Sequence, residues 1–398
     1  MNGGITEMES EASSADSWQG RRGCSFLIAG GGTGGHIFPA IAIANAIKKI
    51  DPSANILFVG AKGKMEMEKV PQAGYKIEGL DIAGFNRSSL IKNITLPFKL
   101  VKSFLQVKRI IKQHKPDAVI GVGGYSSFPV LRSAQFKGIP TFIHESNSFA
   151  GKSNIFLGKN ATKVFVATDG MDKFFPADKI IITGNPVRPA IVAVDEIEQT
   201  VAQQFFGLQP GDYQHRAPGG PVKTLLVVGG SLGAKSINEA VANGLTELMA
   251  VGLQIIWQTG KTDAVKWKTT AEGKSNVWVN DFITEMQNGY AAADIVISRA
   301  GAMAIAELCV VKKPVVFVPF PFAAEDHQTE NAKNLVHKNA ALMVKDNEAA
   351  EKLIATIIAL AQNEAQQKEL KQNIGKYGIV NADEKIAEEI FKALGKSR

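Results

Sequence analysis

Five of the six residues from Gly30 to Gly35 are glycine, and the run ends on His36. Glycines this dense let backbone N–H groups approach an anion at the start of a helix. The formal G-x-G-x-x-G match at Gly30, Gly32 and Gly35 is a weak signal alone. A dinucleotide site also wants an acid at the end of the second strand, to hold a ribose. That strand ends Phe58-Val59-Gly60-Ala61, and the next acid is Glu66. A nicotinamide cofactor is therefore disfavoured, and anion binding competes with a plain tight turn. His36 is not needed to make the turn and titrates near neutrality. It is read as a general base or a substrate-orienting group, against a solvated capping histidine.

A second cluster, Gly229-Gly230-Ser231-Leu232-Gly233-Ala234-Lys235-Ser236, looks at first like an ATP phosphate loop. There the second glycine directly precedes the lysine, and here Ala234 intervenes, so ATP hydrolysis is disfavoured. A glycine-serine turn into a helix still suits a diphosphate, with Ser231 offering its hydroxyl. His114, His215 and His337 lie in polar contexts and read as surface residues. His144 and Glu145 end a strand, and a structural hydrogen-bonding pair is as good a reading as a functional one. The two cysteines, Cys24 and Cys309, have neither disulfide nor zinc spacing and read as packing residues of a reducing compartment.

Between Asp81 and Asp117 there is no acid, while Arg87, Lys92, Lys99, Lys102, Lys108, Arg109, Lys112 and Lys115 interleave with apolar residues. Such a basic amphipathic stretch suits an anionic lipid surface. The competing reading is a core-facing helix with a solvated lysine face. The formal net charge of +7 allows an anionic partner without choosing one. Residues Met1 to Gly20 are polar and lack a basic start and apolar run, so a disordered extension is expected rather than a secretory signal. No apolar run reaches the roughly 18 residues of a spanning helix.

The elements that must position these residues are strands alternating with helices. Strands are expected at Ser25–Ala29, Asn55–Gly60, Ala118–Val122, Pro140–His144, Lys163–Val166 and Lys179–Thr183, with a first helix over Pro39–Lys49. A polar stretch, Ala193 to Pro221, then reads as a helix and linker. The pattern restarts at Lys223–Val228 and continues with Gln254–Gln258, Asn276–Val279, Ile295–Ser298 and Val315–Val318. Helices over Ala349–Asn363, Glu364–Tyr377 and Ala382–Leu394 close the chain. Strands spaced by helices indicate parallel sheets covered on both faces. The expected fold is thus α/β, with two doubly wound Rossmann-like domains whose ligands bind at the carboxyl ends of the strands. The expected division is 1–21 extension, 22–190 first domain, 191–221 linker region, 222–376 second domain and 377–398 C-terminal helix.

Taken in order, the motifs are Gly31-Gly32-Thr33-Gly34-Gly35-His36, Gly123-Gly124-Tyr125, His144-Glu145-Ser146-Asn147 and Gly184-Asn185-Pro186-Val187-Arg188. They continue with Gly229-Gly230-Ser231-Leu232-Gly233-Ala234, Arg299-Ala300-Gly301-Ala302 with Glu307, and Asp326-His327-Gln328 with Asn331-Ala332. This ordered set, over residues 22 to 395, resembles the MurG family, glycosyltransferases that convert lipid I to lipid II in peptidoglycan synthesis.

The resemblance implies the GT-B fold, with two Rossmann-like domains facing a central cleft and UDP-N-acetylglucosamine held by the second. It implies Phe282 and Ile283 at the uracil, Glu307 on the ribose hydroxyls, and Ser231 and Arg188 on the diphosphate. Ala302 and Met303 would face the phosphates, and His327 and Gln328 the transferred sugar. Thr33, Gly34, Gly35, His36 and Asn147 complete the implied UDP-N-acetylglucosamine-binding set, Thr33 and Asn147 from the acceptor side or the hinge, and His36 matches the proposed catalytic histidine. Phe85, Leu90, Ile91, Lys92, Phe98, Lys99 and Lys102 would meet the membrane.

The implied reaction is a direct displacement at the sugar C1 with inversion, the acceptor C4 hydroxyl attacking. No cofactor and no metal are expected, since no Asp-x-Asp cluster is present. Implied partners are the lipid-linked muramyl acceptor, an anionic membrane surface and other cell-wall synthesis proteins, with no nucleic acid. The implied location is peripheral, on the cytoplasmic face of the inner membrane. A UDP-N-acetylglucosamine 2-epimerase, a glycolipid glycosyltransferase and a non-catalytic nucleotide-binding scaffold are the rival readings.

Overall fold

In the computed structural model the described residues are 23–84, 96–209 and 222–396. The extension, the end of the expected linker, and Phe85, Leu90, Ile91 and Lys92 lie outside them.

The first sheet contains β1 (Ser25–Ala29), β2 (Asn55–Ala61), β3 (Lys76–Leu80), β4 (Ala118–Gly121), β5 (Thr141–Glu145), β6 (Lys163–Val166) and β7 (Ile180–Ile182). The second contains β8 (Lys223–Val228), β9 (Leu253–Gln258), β10 (Val277–Asn280), β11 (Ile295–Ser298), β12 (Val315–Phe317) and β13 (Leu342–Met343). Their orders are β3-β2-β1-β4-β5-β6-β7 and β10-β9-β8-β11-β12-β13. Every pairing is parallel. Each unit therefore winds outward in both directions from its first strand, leaving a crevice between β1 and β4 and another between β8 and β11. Both glycine clusters leave their sheets at these points, as the doubly wound reading requires.

Central strands are apolar throughout because helices cover both faces. Ser25–Ala29 is buried along its whole length. Two hydrophobic clusters flank each sheet. Two strands, β3 and β13, were not expected from the residues. β3 reads Lys-Ile-Glu-Gly-Leu and β13 has only two residues, and both lie at sheet edges, where burial asks for less apolar sequence. The first helix spans Gly34–Ile50 and so begins before Pro39, which puts His36 in its first turn.

The chain crosses between the units twice. After β7, Val187, Ile191, Val194, Ala202, Phe206 and Leu208 pack into the core beside Leu226, Ile256 and Val296. Much of the stretch read as a linker is thus part of the second unit. The helix Ala382–Ala393 makes the return crossing. Its Ile386, Ala387, Ile390 and Phe391 join Phe26, Ile43 and Ile47 in the first core. The Phe391 ring meets Phe26 edge-on at 5.8 Å. The two crossings touch: Gly184 has φ +77, and a Cβ there would lie 2.9 Å from the side chain of Ile379.

Candidate active site

On the first unit, the loops after β1 and β4 abut. A Cβ on Gly124 would fall 2.4 Å from the Gly31 carbonyl oxygen, so neither loop tolerates a side chain at that contact. Thr33 takes the extended backbone that precedes the helix, and its hydroxyl lies 3.4 Å from His36 Nδ1. Gly34 and Gly35 lie inside the helix. What their missing side chains leave is open access to first-turn N–H groups.

The His36 ring is held by Nδ1, 3.0 Å from the Gly31 carbonyl oxygen. A carbonyl only accepts, so Nδ1 carries the proton and Nε2 the lone pair of the neutral ring. Nε2 looks over Gly123, where a Cβ would lie 2.8 Å away. Burial lowers the His36 pKa below the ordinary histidine value. The Gly31 carbonyl and the charges of Glu145 and Glu66 pull it upward, and His327, on the other unit, pushes it down. A neutral, enclosed imidazole with a free lone pair is a proton acceptor.

His144 and Glu145 bond to other groups, so the hydrogen-bonding pair among the readings left open does not form. Glu145 accepts hydrogen bonds from Asn147 N and Nδ2, Gly151 N and Asn154 Nδ2, and so shapes the loop after β5. His144 is fully buried, its Nε2 lies 3.4 Å from the Gly184 carbonyl oxygen, and burial depresses its pKa to about 4.

On the second unit, the loop after β8 turns through Gly230 and Gly233, both with positive φ. A Cβ at Gly233 would meet the Thr259 carbonyl oxygen at 2.2 Å. Ser231 is exposed, ahead of the helix Lys235–Asn243. Buried Gln258 ties two loops together: its Nε2 donates to the Gly230 carbonyl at 3.3 Å, and its Oε1 accepts the Ile283 N–H at 3.0 Å. Of the expected uracil pair, Phe282 is 47% exposed and Ile283 only 3%. Phe282 is therefore the member with surface to offer a planar base.

Ala302 and Met303 open the helix Ala302–Val311, whose N-terminus follows Gly301 at the end of the β11 turn. Glu307, further along it, is buried. Its Oε1 accepts from Nε and Nη2 of Arg188, both at 2.8 Å, and its Oε2 from the Tyr290 hydroxyl at 3.1 Å. Burial raises the Glu307 pKa, and Arg188 pulls it back. Arg188, expected on a diphosphate, here caps the carboxylate expected to hold a ribose, because an unpaired buried charge is costly. Tyr290 was not singled out in the sequence, since a tyrosine in an apolar helix reads as core.

His327 and Gln328 begin the helix His327–Val336 behind Glu325 and Asp326, two consecutive non-glycine residues with φ +54. Gln328 Oε1 accepts the Phe320 N–H at 3.0 Å, which turns its amide donors outward. The His327 ring lies 6.3 Å from that of Phe149 on the opposite unit. On the same helix, Asn331 Oδ1 accepts the Ser148 N–H at 2.8 Å, and its Nδ2 donates to Asn147 Oδ1 at 3.2 Å. Asn147 therefore lies in the seam between units. Behind that seam is a cavity of about 270 Å³ lined by Asn185, Cys309, Lys338 and Tyr377 among others. Of the expected nucleotide and sugar residues only Ala302 reaches it. Burial pushes the Cys309 thiol up to about 12, which makes it inert.

Within the basic stretch, Leu96–His114 is a helix, while Arg87 and Lys92 lie outside the described residues. Ser103, Val107, Ile110 and Ile111 face the core, yet Phe98, Val101 and Leu105 are 77%, 62% and 65% exposed. Lys99 and Lys102 are exposed beside them, Lys102 pairing with Asp81 at 2.9 Å. Exposed Phe136 and Phe156, bridged by the Arg132 guanidinium, add to the apolar surface of this unit. Among the described residues no helix is long and apolar enough to cross a membrane, and no group of three or more His, Cys, Asp or Glu is placed to hold a metal.

Residues 26–166 match the N-terminal domain of glycosyltransferase family 28, and residues 224–390 match its C-terminal domain. A Phocaeicola vulgatus protein named UDP-N-acetylglucosamine–N-acetylmuramyl-(pentapeptide) pyrophosphoryl-undecaprenol N-acetylglucosamine transferase is 50% identical, over 94% of this chain and 97% of its own. The crystal structure of Acinetobacter baumannii MurG superposes with a TM-score of 0.75 at 28% identity, covering 93% of this chain and 99% of that one. A Neisseria meningitidis UDP-N-acetylglucosamine 2-epimerase bound to UDP-N-acetylglucosamine superposes at 0.63 and 15% identity, over 92% and 99%, a likeness of fold alone.

Proposed function

The chain belongs to the MurG family of family 28 glycosyltransferases, and we propose that it performs that family's transfer through the residues lining this cleft. N-acetylglucosamine passes from UDP-N-acetylglucosamine to the undecaprenyl-diphosphate-linked muramyl pentapeptide, forming lipid II. The observation that supports the assignment of roles is the seam between the units, where the His327 ring lies 6.3 Å from Phe149, Asn331 bonds Ser148 and Asn147, and His327 acts electrostatically on His36.

The donor lies on the second unit. Its uracil rests against Phe282, its ribose hydroxyls reach Glu307, and its diphosphate meets Ser231 and the first turn of the helix at Ala302 and Met303. Binding of the ribose displaces Arg188 from Glu307 and frees its planar fork for the diphosphate. The Gln328 amide and His327 orient the sugar. The acceptor enters over Thr33, Gly34, Gly35 and Asn147. Its C4 hydroxyl attacks the sugar C1 as the bond from C1 to the phosphate oxygen breaks, and His36 Nε2 takes the hydroxyl proton. A single displacement inverts C1. The charge growing on UDP is met by Ser231, Arg188 and helix N–H groups.

The exposed face carrying Phe98, Lys99 and Lys102 rests on the anionic lipid surface that holds the acceptor, at the cytoplasmic side of the membrane. Incubation with UDP-N-acetylglucosamine and a short-chain lipid I analogue tests the activity. The expected product carries one added N-acetylhexosamine by mass. Conversion of the donor without acceptor would instead point to an epimerase.

A further inference from the structure

Glu66 is a carboxylate almost wholly buried beside the first glycine loop. Among the described residues no cation pairs with it. Its Oε1 accepts the Ala61 N–H at 3.0 Å and its Oε2 the Gly32 N–H at 2.9 Å. The fit is close. A Cβ on Gly31 would lie 2.3 Å from the carboxylate, and one on Gly60 2.5 Å from Glu66 Cγ. Packing alone does not call for such a group, since an unpaired buried carboxylate is among the costliest residues to place.

The Gly32 N–H and the Gly31 carbonyl belong to one peptide plane. In a trans peptide the two point in opposite directions. Glu66 therefore draws the N–H to one side, and the same plane aims the carbonyl at His36 Nδ1, 3.0 Å away. We propose that Glu66 is a positioning residue for His36, acting through the Gly31–Gly32 peptide to fix the ring with its proton on Nδ1 and its lone pair in the cleft. The arrangement has the logic of a histidine base oriented by a carboxylate, with a peptide inserted between them. It also accounts for an acid that follows the second strand of a doubly wound unit yet is buried against the glycine loop. The proposal rests on the reading of His36 as the base.

The titratable groups facing His36 are Glu66, Glu145, His144 and His327. Glu66 is the one hydrogen-bonded to the peptide that holds the ring, and its negative charge favours the imidazolium. The test is Glu66→Gln in the full chain. An amide can accept one of the two N–H groups but must present its own N–H to the other. The expected results are a fall in kcat of about tenfold to a hundredfold and a KM for UDP-N-acetylglucosamine unchanged within about twofold, because the donor residues lie on the other unit. The acid limb of kcat/KM moves to lower pH, and NMR of the ring nitrogens shows loss of the Nδ1–H tautomer.

In a His36→Ala background the same change has no further effect on kcat. An unaltered tautomer in Glu66→Gln, or a kcat loss that persists at full size beside His36→Ala, overturns the proposal. If His36→Ala itself keeps normal turnover while Glu66→Gln shifts the tautomer, the positioning stands and the base assignment falls. Should Glu66→Gln not melt cooperatively, Glu66→Asp, with the charge kept and the reach shortened, replaces it with the same readouts.

Discussion

His36 and Glu307 are both perturbed by enclosure, with opposite consequences. For His36 the lowered pKa keeps the ring neutral as pH falls past the ordinary histidine value. The acid limb of kcat/KM is therefore expected below about 6.5, read from initial rates across pH. His36→Ala should lower kcat by about 10² to 10⁴, the usual contribution of a positioned base, with donor KM nearly unchanged in steady-state assays. Glu307 titrates the other way. Its raised pKa means the ionised form needed by a ribose is lost earlier on acidification than for an exposed glutamate, so donor KM should climb on the acid side. Tyr290→Phe removes the bond to Oε2, worth about 1.5 to 3 kcal/mol for a charged partner, and should raise donor KM with little change in kcat. His36 and Ser231 stood out as candidates in the sequence because each is a reactive type beside a glycine turn that does not need it, whereas Glu307 entered through the family resemblance alone. Tyr290, Gln258 and Glu66 did not stand out. Their partners are Glu307, Ile283 and Gly32, and nothing local marks a buried polar contact across such gaps.

Among the elements, the helix Leu96–His114 shows why one amphipathic pattern supports two readings. Its Val107, Ile110 and Ile111 satisfy the core, so Phe98, Val101 and Leu105 are surplus to packing. Apolar surface left over in this way marks an interaction face. Replacing Phe98 and Leu105 by serine is expected to lower recovery with anionic liposomes in flotation, and raising salt should weaken binding through Lys99 and Lys102. Flotation indifferent to lipid charge would remove the membrane role. The strands were readable where burial on both faces makes them continuously apolar, as in β1, β8 and β11. The edge strands β3 and β13 carry too little of that signal, and the first helix, expected from Pro39, starts at Gly34 because its first turn is built from glycines that favour no helix on their own.

At the level of the whole molecule, the repeat of two doubly wound units follows from the restart of strands at Lys223. The exchange of segments between units does not, since an amphipathic helix declares that it needs a core without saying which one. Phe391 illustrates the point: it lies near the end of the chain and is buried against Phe26 near the start of the fold. Phe391→Ala should cost about 3 to 5 kcal/mol, and thermal melting should show the first unit losing stability although the change is made beyond the second.

The contact between Gly184 and Ile379 brings both crossings to the same spot, the chain passing outward at one and homeward at the other. A seam pinned at one point by both of its crossings leaves no room there for an added atom. A methyl group at Gly184, at a backbone angle that disfavours it, would have to push the Ile379 side chain aside, so Gly184→Ala is expected to lower the melting temperature although it lies outside both hydrophobic cores.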